Sequence, residues 1–308
     1  MLCNCDNPEK SNFWLYFKTN FKSLELEKLI ATHYSSTEPV YKLEYDGENI
    51  IKTKLKQNGD FRSDEALEIL KESDIVITNP PFSLFRAYVS QLMEYEKDFL
   101  IIGNNNAVTY KDIFPLIAEG KMWLGNHTNK TMEFKLSDDY TKWNRIDKEG
   151  NKYGKVPAIT WFTNLDIDIS HEDLILYKEY NKEDYPKYDN YDAINVNRVA
   201  HIPKDYYKPI GVPITFLSKH NKDQFEILGV NASWANTANH PGVKVTKRYP
   251  RATMFSKNGK VSINRSINSH SVLLSKTKPN KTYYTIEGVE GYLTVPYVRI
   301  FIRRRRSI

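Results

Sequence analysis

Three features of the 308-residue chain predict an α/β fold with a parallel, doubly wound sheet. Two continuous apolar runs, Ile75-Val76-Ile77-Thr78 and Phe99-Leu100-Ile101-Ile102-Gly103, have the length and β-branched character of strands buried on both faces. Each lies beside stretches with helical spacing, the alternation expected of parallel sheets. The third feature is the segment Asn79-Pro80-Pro81-Phe82, which follows the first run directly. It stands at the carboxyl end of a predicted strand, where folds of this class bind ligands.

Taken in order, Met1-Leu2 reads as the tail of a first strand, with Cys3-Asn4-Cys5-Asp6 at its carboxyl end. Residues 11–21 read as a helix, capped by Ser11, with Phe13, Tyr16, Phe17 and Phe21 at three-to-four spacing. Leu29–Tyr34 reads as a strand, and residues 38–58 as a pair of edge strands or a loop insertion. Asp64–Lys71 is a predicted helix, with Ser63 as its N-cap and acids in its first turn. Ser83–Tyr95 is helical, with Phe85, Val89, Leu92 and Met93 on one face. Thr109–Ile117 has capping-box spacing between Thr109 and Asp112, although Pro115 weakens the helix. Asn104-Asn105-Asn106 stands at the end of the Phe99 strand.

Beyond residue 165 the character changes. Asp166–Asn197 is acidic and rich in Tyr, with few periodic runs. Gly211–Phe216 and Phe225–Val230 read as strands, 236–282 is rich in Asn, Ser, Thr and Lys, and Tyr292–Ile302 closes with alternating apolar residues. Two regions are therefore expected, 1–165 and 166–308.

Charge separates the two regions further. Residues 1–165 carry 21 Lys and Arg against 24 Asp and Glu, and residues 166–197 carry 3 against 9. Residues 198–308 carry 20 against 5, a net of +15. A strongly basic back half suits a polyanion, or is simply a soluble basic surface. With 21 Tyr and 14 Phe the composition is not that of a disordered chain. No apolar run approaches a membrane span, and the N-terminus has no basic or long apolar leader segment, so a cytoplasmic protein is expected. Cys3 and Cys5 are too close for a disulfide and have no His or Cys cluster nearby, so no metal site is expected.

The chemistry centres on the proline turn. The Asn79 side-chain carbonyl can accept one hydrogen of a planar amino group, and the Pro80 backbone carbonyl the other. Pro80 and Pro81 stiffen the turn because neither has a free φ or an N–H. Phe82 offers a flat face on which a base can stack. The same four residues could also be no more than a turn followed by a core aromatic. Near the N-terminus, Asp6 is a carboxylate able to meet the ammonium or a ribose hydroxyl of a methyl donor such as S-adenosylmethionine, or is simply part of an ordinary polar N-terminus. Asp60 could accept from an adenine amino group with Phe61 packed on the ring, or the two could be a loop acid and a core residue. No G-x-G-x-x-G fingerprint is present.

Taken together, these stretches resemble the adenine-specific DNA methyltransferases of the EcoRI modification type. The resemblance rests on Cys3-Asn4-Cys5-Asp6-Asn7-Pro8 with Ser11-Asn12-Phe13 and Tyr16-Phe17, on Gly59-Asp60-Phe61, and on Ile77 through Phe85. It continues through Phe99-Leu100-Ile101-Ile102, Trp123-Leu124-Gly125, Trp161-Phe162-Thr163-Asn164-Leu165 and Gly211-Val212-Pro213-Ile214-Thr215-Phe216-Leu217. Asn-Pro-Pro-Phe is shared with many amino-methyltransferases, whereas the combination is far more specific.

The resemblance implies a Rossmann-like S-adenosylmethionine-dependent methyltransferase sheet in 1–165 and a basic target-recognition region in 166–308. It implies that Asn4, Asp6, Asp60 and Phe61 bind the cofactor and that Asn79, Pro80, Pro81 and Phe82 hold the target adenine. Arg248, Arg251, Arg265, Arg303 and Arg304 are candidates for contact with double-stranded DNA, because Arg suits guanine and phosphate. A cognate restriction endonuclease, a monomeric state and no membrane partner are also expected. Relatives of this kind carry a further N-terminal cofactor segment, so the chain is expected to be N-terminally incomplete. RNA-adenine or protein-amide methylation, and a catalytically inactive DNA-binding remnant, stand as alternative readings.

Overall fold

A computed structural model describes residues 1–125, 131–136, 140–167, 172–232 and 242–306. Packing divides the chain into two units, Met1–Ile113 with Lys121–Asp166, and Phe114–Gly120 with Ile167–Ile308.

The first unit runs through β1 (Leu2–Cys3), α1 (Asn12–Thr19), β2 (Leu29–Thr32), β3 (Tyr41–Tyr45), β4 (Ile50–Lys54), α2 (Asp64–Lys71), β5 (Ile75–Thr78) and α3 (Phe85–Glu94). It continues through β6 (Asp98–Asn104), β7 (Trp123–Leu124), β8 (Met132–Lys135), β9 (Arg145–Ile146), β10 (Lys152–Val156) and β11 (Ile159–Thr163). Eight of these strands form a mixed sheet in the order β4-β3-β2-β1-β5-β6-β11-β7. The four central strands are parallel, and the outer pairs on both sides are antiparallel. β8, β10 and β9 form a separate small antiparallel sheet.

The helices start where their caps direct. Ser11 Oγ accepts from the Phe13 amide, and Ser63 Oγ from the Ala66 amide. Helix α1 lays Trp14 and Phe17 into a core with Phe21, Leu29, Ala31, Leu43 and Ile77. Burial of each such side chain contributes about 1.5–3 kcal/mol. Residues 38–58 resolve into the β3–β4 hairpin at the sheet edge. The expected helix over Thr109–Ile117 is not formed. Asn105–Thr109 is a 3₁₀ turn, Tyr110 is extended, and α4 spans only Phe114–Ala118. Pro115 is the reason: proline is tolerated in a first helical turn and not deeper, so the helix starts beside it.

The second unit takes α4 together with β12 (Ile194–Asn195), β13 (Ile210–Pro213), β14 (Phe225–Val230), β15 (Ala252–Phe255), β16 (Val261–Arg265), β17 (Leu273–Ser275), β18 (Tyr283–Thr285), β19 (Tyr292–Thr294) and β20 (Arg299–Arg304). One sheet has the order β12-β13-β20-β14, the other β16-β15-β18-β19-β17. The strand expected to reach Phe216 ends at Pro213 in a 3₁₀ turn, Ile214–Lys219. The closing run 292–302 is split between two sheets, as β19 and β20. Arg299 of β20 is buried, its guanidinium held by the side-chain oxygens of Asn195 and Asn197 at 3.2 Å each and the Tyr297 carbonyl at 3.0 Å. Neutral acceptors thus satisfy a buried cation and tie β20 to β12.

Candidate active site

β1 lies between β2 and β5, so the chain leaves it in one direction to β2 and later returns on the other side. Loops that diverge from the carboxyl ends of two such neighbours leave a crevice between them. A cleft of about 990 Å³ opens there, lined by Asp6 and Asn7 after β1, by Ser11, Phe13 and Tyr16 around the start of α1, and by Ile77, Asn79 and Phe82 at β5. Phe134 of β8 and Trp161 of β11 contribute further walls. The volume is at the upper end of the roughly 300–1,000 Å³ typical of small-molecule sites.

The turn after β1 is held from behind. Cys5 takes φ 78°, a left-handed conformation that glycine usually supplies and that costs an L-residue about 1–2 kcal/mol. The hydroxyl of Thr78 donates to the Asn4 carbonyl, and the buried Tyr88 hydroxyl donates to the Asn4 side-chain oxygen. The Cys5 thiol donates to that same oxygen at 3.5 Å. Tyr88 comes from α3 and meets Phe61 edge-on with ring centroids 4.9 Å apart. Burial raises the Tyr88 phenol far above its ordinary pKa, so it remains a donor. Tyr88→Phe leaves Asn4 with only the weak thiol donor and is expected to cost about 1–3 kcal/mol, read as a lower melting temperature.

These contacts place the residues that the sequence assigns to the cofactor. Asn4 is buried and does not line the cleft, and Tyr88 and Thr78 hold its side-chain oxygen and its backbone carbonyl. Phe61 is likewise buried behind the turn. Asp60 is held by Arg62, whose guanidinium donates to it at 2.6 and 2.9 Å and keeps its carboxyl below the usual range. Neither lines the cleft among the described residues. The 59–63 turn itself is tightly seated. Gly59 has φ +73°, and a Cβ there would lie 2.0 Å from the His33 carbonyl oxygen at the end of β2. Gly59→Ala is expected to destabilise the protein by about 2–3 kcal/mol in a denaturant titration.

Asp6 differs from Asn4. It faces the cleft, and burial raises its carboxyl to about 6. Burial, with Asp6 and more weakly Asp60 nearby, pushes the Cys5 thiol up to about 12, so it stays protonated.

The proline turn borders the cleft through Asn79 and Phe82. The Asn79 side chain is exposed and has no hydrogen-bond partner among the described residues. The Pro80 ring is buried, anchoring the turn, and its carbonyl has no backbone partner among the described residues. Pro81 accepts from the Leu84 amide at 2.9 Å, which closes a 3₁₀ turn over Phe82–Leu84. Phe82 is 43% exposed and lines the cleft. Phe13 and Trp161, edge-on at 6.1 Å, form an aromatic wall that sequence reasoning did not assign to the site. Tyr88 escaped for a simpler reason, since a tyrosine at a helical core position looks like packing alone.

In the second unit the five basic candidates divide. Arg248, Arg251 and Arg265 are exposed. Arg303 is paired with Glu226 across β20 and β14 at 2.7 Å, and Arg304 donates to the Tyr207 hydroxyl at 3.3 Å. Arg303 is thus engaged within its own sheet, and Arg304 with the loop before β13.

A cleft at the switch point of an α/β sheet, with an Asn-Pro-Pro-Phe turn on one side and a carboxylate on the other, is where an enzyme of this fold class places its ligands. The chain belongs to the EcoRI family of adenine-specific methyltransferases, whose family model matches residues 1–305. It is an adenine-specific DNA methyltransferase. Type II methyltransferase M.EcoRI of Escherichia coli is 48% identical over 250 residues, 73% of this chain and 77% of the relative. M.MgeORF184P of Mycoplasma genitalium is 43% identical over 236 residues, and M.MpnI of Mycoplasma pneumoniae 42% over 235, each covering 74% of both chains. No solved structure matches the chain. Among the described residues no helix is long and apolar enough to cross a membrane.

Proposed function

We propose that the protein methylates the exocyclic amine of adenine at a specific site in duplex DNA, with S-adenosylmethionine as donor, in a restriction–modification system. The observation that carries this reading is the single cleft shared by Asp6 and the Asn79–Phe82 turn. The residues present fit the donor. Asp6 is an acceptor suited to its ammonium, and the cleft has room for a nucleoside beside a base. S-Adenosylmethionine, when bound, supplies an electrophilic methyl group on its sulfonium.

The protein's part is positional. The target base leaves the duplex to reach the cleft. Asn79 Oδ1 and the Pro80 carbonyl accept the two amine hydrogens, drawing charge from them and aiming the nitrogen lone pair along one line. Because both acceptors are set by a proline-locked turn, they need not reorganise as charge develops. Phe82 stacks on the base and offsets part of the few kcal/mol of unstacking. The first unit is the Rossmann-like catalytic part and the second the target-recognition part, whose cations neutralise phosphates. A monomer suffices to methylate one strand at a time, working in the cytoplasm beside an endonuclease that reads the same site.

Transfer of labelled methyl from S-adenosylmethionine to unmethylated duplex DNA tests the reading. Label recovered as amino-methylated adenine supports it. Label recovered in RNA or protein acceptors in preference to duplex DNA would overturn it.

A further inference from the structure

From Ile227 to Ile286 the chain contains ten Lys and Arg and no Asp or Glu. Much of this acid-free stretch folds into the five-stranded sheet. One face of that sheet is packed: Ala252, Leu293 and Tyr284 join Tyr249, Ile267, Val272 and Ile286 in a core. The other face carries a row of aromatics. Val261 pairs with Phe255 and Phe255 with Tyr283, so the three project from the same side. Phe255 and Tyr283 stack with centroids 5.0 Å apart, and Tyr292 meets Tyr283 edge-on.

β16, at the edge of this sheet and joined to β15 by a hairpin, is its most exposed strand among the described residues. The hairpin tip, residues 256–260, closes on Ser256, which accepts the Gly259 amide at 3.0 Å. Nothing lies within 4 Å of a Cβ built at Gly259, so the tip stands clear. Lys257 and Lys260 flank it, both exposed and without an ion-pair partner among the described residues. The register slips between Ala252 and Met254, and Asn264 takes φ 60°. This bulge bends the edge strand and leaves Ile263 76% exposed, next to Val261 at 54%. An edge merely protected against pairing needs charge and a bulge, but not two outward β-branched apolar side chains.

We infer that the β15–β16 hairpin is the element that enters a groove of duplex DNA, with Lys257 and Lys260 on phosphates and Ile263 against base edges. The inference rests on the proposed DNA methylation and names the surface that reads the site. A two-stranded ribbon is one of the elements that the major groove, about 12 Å wide, admits, and the thymine methyl is the apolar feature displayed there. A hairpin without Asp or Glu meets phosphate without repulsion from its own side chains. Arg265, exposed at the end of β16, lies on the same strand, whereas Arg303 is paired with Glu226 in the other sheet and Arg304 bonds the Tyr207 hydroxyl.

The test uses the full chain, the Lys257→Gln/Lys260→Gln double variant and Ile263→Ala. Binding to a 20-base-pair duplex is measured from low to high salt, and methylated positions are mapped on plasmids with random inserts. The double variant is expected to lower the slope of log K against log salt by about 2, because each phosphate contact contributes about 0.9. Its affinity falls alike for all sequences while S-adenosylmethionine affinity stays at the wild-type value. Ile263→Ala is expected to broaden the methylated site at one base pair, by roughly tenfold in discrimination. An unchanged slope and an unchanged site, in variants that still methylate duplex DNA, would overturn the inference and leave the proposed function standing. A wild-type dimer that Ile263→Ala dissociates would also overturn it, assigning the edge to a second copy of the chain. Failure of the wild-type protein to methylate duplex DNA would instead remove the reading beneath it.

Discussion

Asn79→Ala is expected to reduce methyl transfer by about 10²–10³-fold or more while leaving S-adenosylmethionine affinity within about twofold. The substitution removes one of two acceptors for the amine hydrogens, and the Pro80 carbonyl alone leaves the nitrogen free to rotate out of line. It should not disturb folding, because the Asn79 side chain is exposed and has no hydrogen-bond partner among the described residues. Asn79→Asp keeps an acceptor in place and is expected to lose less. The check is single-turnover transfer of labelled methyl with both substrates saturating, beside a direct titration of the donor. Near-normal single-turnover rates in Asn79→Ala would mean that the turn does not hold the amine.

Asp6→Asn is expected to weaken S-adenosylmethionine binding by about 10–100-fold, since it removes the charged acceptor for the donor's ammonium. The same change is expected to stabilise the ligand-free protein at pH 7. Burial lifts the Asp6 carboxyl to about 6. A carboxyl whose folded pKa exceeds its unfolded value binds a proton more readily when folded. Its ionisation therefore costs stability above pH 6, and this cost disappears as the pH falls toward 4. Asn carries no such cost, so a melting temperature higher by roughly 2–4 °C is expected at pH 7, with the gap closing near pH 4. Donor affinity of the wild-type protein should fall as the pH drops through about 6. A variant that binds the donor normally, or that is less stable at pH 7, would remove Asp6 from this role. Opposite effects on stability and binding are what a group placed for function rather than packing should show.

The α/β class was legible because Ile75–Thr78 and Phe99–Gly103 carry a local pattern that only a doubly buried strand explains. Ser11 and Ser63 announced two helix starts through a single side-chain bond each, a short-range signal. The Thr109–Ile117 helix failed where a capping pattern and a proline disagreed, and backbone geometry at Pro115 prevailed. The strands within 236–282 were missed because they are short, lie in a stretch rich in Asn, Ser, Thr and Lys, and are stabilised by cross-strand partners elsewhere in the chain, as Phe255 is by Tyr283.

The sequence by itself determined the stiffness of the Asn79–Phe82 turn, since two prolines restrict the backbone whatever surrounds them, and it determined the charge difference between the two halves of the chain. Only the tertiary structure decided which residues meet. It set Asp6 in the cleft with Asn79 and turned Asn4 and Phe61 inward onto Tyr88. It committed Asp60 to Arg62, and Arg303 to Glu226. Those outcomes depend on long-range pairing, above all β1 between β2 and β5. Local sequence carries no information about which neighbour will claim a side chain's hydrogen-bonding capacity.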